Sequence, residues 1–133
     1  MDVMVLGVSG RAVAVRRGFR LSDHGADTDV VVVLDAQTVD RGGSPPTQLR
    51  KGLVLGRITE TGRYKHYDPD ASDGTEVARL ILLHDVDMRD GWLGDSRPRE
   101  QFARGMQHGV VDEALLHGCD QAAKAALDAV IFM

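Results

Sequence analysis

Asparagine is missing from all 133 residues, so no N-x-[ST] glycosylation acceptor can be written. Cysteine occurs once, at Cys119. One thiol cannot close an intrachain disulfide, and it cannot build a four-ligand zinc cage unless histidines or carboxylates complete it. Aromatic side chains make up 5% of the chain, and sixteen basic against twenty acidic groups leave a net charge of −4. Few stacking rings in a field of the wrong sign argue against nucleic acid as a partner. Long apolar runs are absent too. The longest branched-aliphatic stretch, Val30 to Leu34, falls far short of the roughly 20 residues a membrane helix needs, so no membrane partner is expected. In the opening MDVMVLGVSGRAVAVRR, Asp2 precedes the apolar stretch while Arg16 and Arg17 follow it, the reverse of a secretory signal. The expectation is a product made in the cytoplasm, where a single free thiol is stable.

What is present is glycine and short aliphatic runs. The length suits one domain, and a chain of this size buries about two-thirds of its unfolded surface, enough to fold without metal or disulfide. Glycine supplies 15 residues, about 11% against an average near 7%. These glycines punctuate stretches rich in valine, isoleucine and leucine, the pattern of many short strands. Predicted strands are Val3–Leu6, Ala12–Val15, Val30–Leu34, Leu53–Ile58, Tyr64–Tyr67, Ala78–Leu83, Phe102–Met106 and Val130–Phe132. One stretch has helical composition, Asp120–Asp128, with Asp120 placed to cap its first turn. Gly118 discourages a longer helix, so Leu115 and Leu116 read as the end of an extended segment. The class is β-rich α+β, a small compact domain with one C-terminal helix. Arg41 to Gln48, with two glycines and two prolines, reads as a loop, and Met88 to Glu100 as an exposed excursion carrying Trp92. Residues 1–20 separate from 21–133 as an N-terminal arm or first hairpin. Val3, Met4, Val5 and Leu6 are apolar there, and Arg11, Arg16, Arg17 and Arg20 cluster in the acid-free stretch that ends at Asp23. Such a segment could add a strand to another protein's sheet edge.

Chemistry-bearing motifs are sparse. The acidic stretch Asp68–Glu76, DPDASDGTE, lacks the glycine and glutamate that a helix-loop-helix calcium site requires at its sixth and twelfth positions. It reads as a solvated turn reversing at Asp73 and Gly74. Asp85 and Asp87, beside His84, would share one face of a strand and could hold a divalent ion or transfer protons. A small metal-dependent enzyme is therefore the alternative, against a charged strand end that discourages edge pairing. His117 and Cys119 offer two zinc ligands where at least three are usual. His24, His66 and His108 stand alone as surface or hydrogen-bonded residues. Gly7 to Gly10, GVSG, lacks the second glycine of a nucleophile elbow, because Arg11 occupies that place. No catalytic residue, cofactor site or metal site is assigned, and a binding or structural role follows. A carbohydrate-binding module is disfavoured because only Trp92, Tyr64 and Tyr67 could stack on sugar rings.

One block carries more. Leu49 to Asp87 reads LRKGLVLGRITETGRYKHYDPDASDGTEVARLILLHDVD. Gly52 and Gly56 frame a strand, Ile58 and Thr59 lead to the turn at Gly62, and Tyr64 follows. Tyr67, Asp68 and Pro69 then precede the Asp73–Gly74 turn, Ala78, the Ile81–Leu82 strand and the end at Asp85 and Asp87. In this order the features resemble the phage lambda-type head decoration protein family. The C-terminal part, from Gly105 through an alanine-rich helix to Val130–Phe132, is similar in order. Gly25 to Pro46 and the Met88–Glu100 loop depart from the family pattern.

The resemblance implies a non-enzymatic homotrimer that cements the outside of an expanded phage head. It would sit at threefold and quasi-threefold positions, clamp the major capsid protein against the pressure of packaged DNA, and need no cofactor. It also implies an N-terminal arm that joins capsid strands, with Val3, Met4, Val5, Leu6, Arg11, Arg16 and Arg17 as the capsid-contact residues.

Overall fold

The computed structural model describes residues 18–90 and 97–133. The predicted strands Val3–Leu6 and Ala12–Val15, the contact candidates Val3, Met4, Val5, Leu6, Arg11, Arg16 and Arg17, the GVSG stretch and Trp92 lie outside the described residues. In chain order the strands are β1 (Val30–Leu34), β2 (Gln48–Leu49), β3 (Val54–Arg57), β4 (Tyr64–His66), β5 (Ala78–Leu82), β6 (Val86–Asp87), β7 (Gln101–Met106), β8 (Gly109–Val111) and β9 (Val130–Phe132). One short helix, α1 (Gln121–Ala126), precedes β9. The β-rich α+β class expected from the sequence is the class observed.

Five strands close into a barrel in the order β1-β4-β3-β5-β7. The β-branched run of β1 lies antiparallel to β7 from Val30 opposite Gly105 to Leu34 opposite Gln101, and a single parallel contact, Leu34 to Tyr64, joins β1 to β4. The strand β3 is hydrogen-bonded antiparallel to both β4 and β5. Closure removes the free edges that short aliphatic strands would otherwise present.

Alternation along the strands sorts side chains into two cores. Leu34, Leu55, Leu80, Leu82 and Ala103 fill the barrel with Leu49, Leu53, Val86 and Met88. Val54, Ala78 and Ile81 point outward into a second cluster with Phe19, Met106, Val111, Ala123, Leu127 and Val130. Ala78 and Leu80 are two residues apart yet serve different cores. The register of β3 and β5 shifts between Leu55 and Gly56, leaving exposed Arg79 as the extra residue, and this bulge reverses the alternation.

The C-terminal half covers the outer cluster. Here β8 and β9 pair in parallel, and Arg20 bridges to Val111 on the other side of β8. Phe19 is buried, Leu21 N donates to Val110 O, Asp112 N donates to Phe19 O, and the Arg20 guanidinium grips Asp29. The chain from Phe19 onward is thus part of the body.

Three local expectations are corrected. Leu115 ends no extended segment; it lies in a 3-10 turn, Glu113–Leu115, capped by the Asp112 side chain on Ala114 N. The helix stops at Ala126 because Leu127 leaves helical backbone and Asp128 falls in the following turn. Met88 is not part of an exposed excursion: it is fully buried, its N–H donates to Thr47 O, and its carbonyl accepts from Arg99 N.

Candidate functional site

The block from Gly52 to Asp87 builds the barrel wall and its turns. Gly52 begins it with a positive φ, just before β3, and Gly56 lies within β3. Ile58 and Gly62 close the hairpin from β3 to β4, Gly62 N donating to Ile58 O and Ile58 N to Arg63 O. Tyr64 opens β4 and packs against the barrel core. Asp68 turns the chain before Pro69, its side chain accepting from Asp70 N and from Arg41. The backbone amide of Asp70, then Arg41, holds the Asp68 carboxyl below the usual range.

The Asp73–Gly74 turn falls between β4 and β5, as expected. Gly74 has φ 110°, and a Cβ there would stand 2.4 Å from Arg57 O and from Thr59 Oγ1. Only glycine fits both the backbone and the space. Thr59 N donates to Asp73 O at 2.9 Å, and Asp73 Oδ1 accepts from Thr75 Oγ1 at 2.5 Å and Thr75 N at 3.0 Å. These Thr75 donors, with Lys65 behind them, lower the Asp73 carboxyl to about 2.

Asp85 and Asp87 do not form a pair on one strand face. Asp85 precedes β6 and accepts from Lys51 N at 2.8 Å, whereas Asp87 accepts from Arg89 N at 2.9 Å. His84 Nε2 accepts from Arg104 N at 3.1 Å. Each group is committed to a different backbone amide. Asp87 also lies inside a strand pairing, opposite Gln48, where a charged end was expected to prevent one. Among the described residues no three His, Cys, Asp or Glu side chains gather as metal ligands.

A groove of about 550 Å³ runs between the loop after β1, the end of β4 and the segment before α1. Asp40, Arg50, His66, Tyr67, His117 and Cys119 line it. Asp40 is 1% exposed. Burial raises its carboxyl, but the Arg50 guanidinium and the amides of Arg50 and Gly42 outweigh that and hold it below the usual value. Across the groove the Tyr67 hydroxyl donates to Asp120 at 2.9 Å, and burial together with that carboxylate pushes the phenol up to about 12. Burial depresses His66 and His117, and burial raises the Cys119 thiol. A thiol shifted in that direction is not an activated nucleophile.

Sequence reasoning missed four features. The Asp40–Arg50 pair and the Tyr67–Asp120 bond join residues with no spacing signal between them. His66 is hydrogen-bonded, its Nδ1 accepting from Val39 N, but His24 and His108 do not stand alone: they meet each other. The fourth feature is the outer barrel face, where Val31 is 67% and Phe102 is 76% exposed. Its signal was available in the five-residue run Val30–Leu34, because alternate residues of a strand lining a barrel must point outward.

The model of the bacteriophage lambda head decoration protein D family matches residues 23–130. The chain belongs to that family. Comparison with curated proteins gives no match. Membership makes the chain a structural protein of a phage head with a capsid decoration role, in a family of head proteins rather than enzymes.

Proposed function

We propose that this decoration protein is a homotrimeric cement that binds the outer surface of the expanded head at threefold and quasi-threefold positions and stabilises it after DNA packaging. The observation that carries the reading is the family match over residues 23–130. The fold agrees with it physically. A closed barrel supplies a rigid body, and the exposed apolar side chains Val31, Phe102, Ile131 and Met133 leave surface for protein contact. A cyclic trimer presents three identical faces to three capsid subunits, and three weak contacts made together give a lasting attachment.

Residues 1–17 are the proposed capsid-contact segment, with Val3, Met4, Val5 and Leu6 as the strand that pairs with a capsid edge and Arg11, Arg16 and Arg17 beside it. Because Phe19 and Arg20 are built into the body, the informative truncation removes Met1 to Arg17 and spares them. Light scattering should give about 43 kDa for three 14.4-kDa chains, and a monomeric mass at micromolar concentration would sink the trimer. The truncated chain should remain folded and trimeric yet fail to co-sediment with expanded heads. Unchanged co-sedimentation would refute the role of the segment.

A further inference from the structure

Two histidine–glycine dipeptides, His24–Gly25 and His108–Gly109, meet across 84 residues of sequence. Each glycine lies on the other dipeptide's backbone. A Cβ on Gly25 would stand 2.5 Å from His108 O, and one on Gly109 would stand 2.8 Å from His24 O. Side chains at these positions would force the two turns apart, so main-chain contact sets how closely the imidazoles approach. The turns are braced from behind, Thr28 Oγ1 donating to Gly25 O at 2.6 Å and Gln107 Nε2 to Thr28 O at 2.8 Å.

At the meeting point the two Nε2 atoms are 3.1 Å apart. Two nitrogens on one first-row metal, each bonded at about 2.0–2.1 Å, are roughly 2.9 Å apart at a right angle and roughly 3.3–3.4 Å apart at the tetrahedral angle. The observed separation lies between these limits. The ring centroids are 4.8 Å apart, with planes at 84°. Rings aimed at a common metal, with each nitrogen about 1.15 Å from its centroid, would have centroids about 4.8 Å apart; a head-on N–H···N bond would put them at about 5.4 Å. Both separations are those of two neighbouring ligands on one ion.

We propose that His24 and His108 form a two-imidazole surface site for a divalent transition metal of the Zn²⁺, Ni²⁺ or Cu²⁺ class. Imidazole suits these ions, whereas Mg²⁺ and Ca²⁺ take oxygen ligands. His24 is exposed and His108 half-buried, so solvent completes the coordination shell. In the metal-free pair one ring donates its Nε2–H to the other; when metal binds, that proton moves to Nδ1 of the same ring and both Nε2 lone pairs become ligands. The ion ties the turn before β1 to the turn between β7 and β8, a staple independent of how the protein meets the capsid.

Calorimetric titration of the full chain with zinc or nickel chloride should show one ion per protomer, with no binding of magnesium. His24→Ala and His108→Ala should each weaken it roughly 10²-fold, because the second imidazole acts at high effective concentration. His66→Ala and His117→Ala should leave it unchanged. Zinc should also perturb the imidazole NMR signals of His24 and His108 in the unmutated protein, a readout that needs no variant to fold. No binding by the unmutated chain, or undiminished binding in both single variants, would overturn the site and leave a hydrogen-bonded pair.

Discussion

Four hydrogen bonds reach the buried Asp40 carboxylate, three from Arg50 and one from the Gly42 amide. A carboxylate this deeply buried persists only where donors replace its water. Asp40→Ala should destabilise the domain by about 2–3 kcal/mol, less than the roughly 3–5 of a fully buried pair broken on one side, because Arg50 is 42% exposed. Urea unfolding reads this, and a change under about 0.5 kcal/mol would contradict it. At Asp73 the prediction concerns pH. The folded carboxyl sits at about 2, below its ordinary value of 3.8. Its stabilising contribution is therefore complete above about pH 4 and is lost as pH falls through about 2. Thermal unfolding between pH 5 and pH 2 should fall less steeply in Asp73→Asn than in the unmutated chain. The Asp73–Gly74 turn was legible in the sequence because an Asp-Gly step suits a reversal whatever surrounds it. Asp40 was not, since its partner is ten residues away on the far side of a glycine–proline loop.

Among the elements, α1 is the most dependent on a single side chain. Six residues of helix are too few to be stable alone. Asp120 accepts from Ala123 N at 2.8 Å and from the Tyr67 hydroxyl, so one carboxylate both caps the helix and anchors it to the end of β4. Asp120→Ala should cost about 2–3 kcal/mol, about 1 from the lost cap and the remainder from the buried hydroxyl left unpaired. Tyr67→Phe in the same background should recover part of that loss, a coupling that a double-mutant cycle would measure. The cap was readable because capping is local. Where the helix ends was not: Leu127 is drawn out of helical backbone into the outer core, a tertiary preference that overrides the alanine-rich composition. The pairing of β2 with β6 was likewise illegible, since two residues on each strand carry no periodicity.

On the scale of the whole molecule, closure of the barrel decides which apolar residues stay outside. Val31 and Phe102 face outward on the adjacent strands β1 and β7. Phe102→Glu should leave the protomer folded, with an unchanged far-ultraviolet circular dichroism spectrum, because the ring is exposed on the single chain. The same substitution should reduce the trimer fraction in light scattering or the co-sedimentation with heads, and a variant unaltered in both would show that this face meets no partner. The sequence alone determined the β-rich class, most strand positions, the single C-terminal helix and the family, because composition, alternation and turn residues act over a few neighbours. It did not determine that Asp85 and Asp87 serve separate amides, that Met88 is core, or that His24 meets His108. Those outcomes depend on which segments barrel closure brings together, and contacts between residues tens of positions apart leave no periodic trace along a chain.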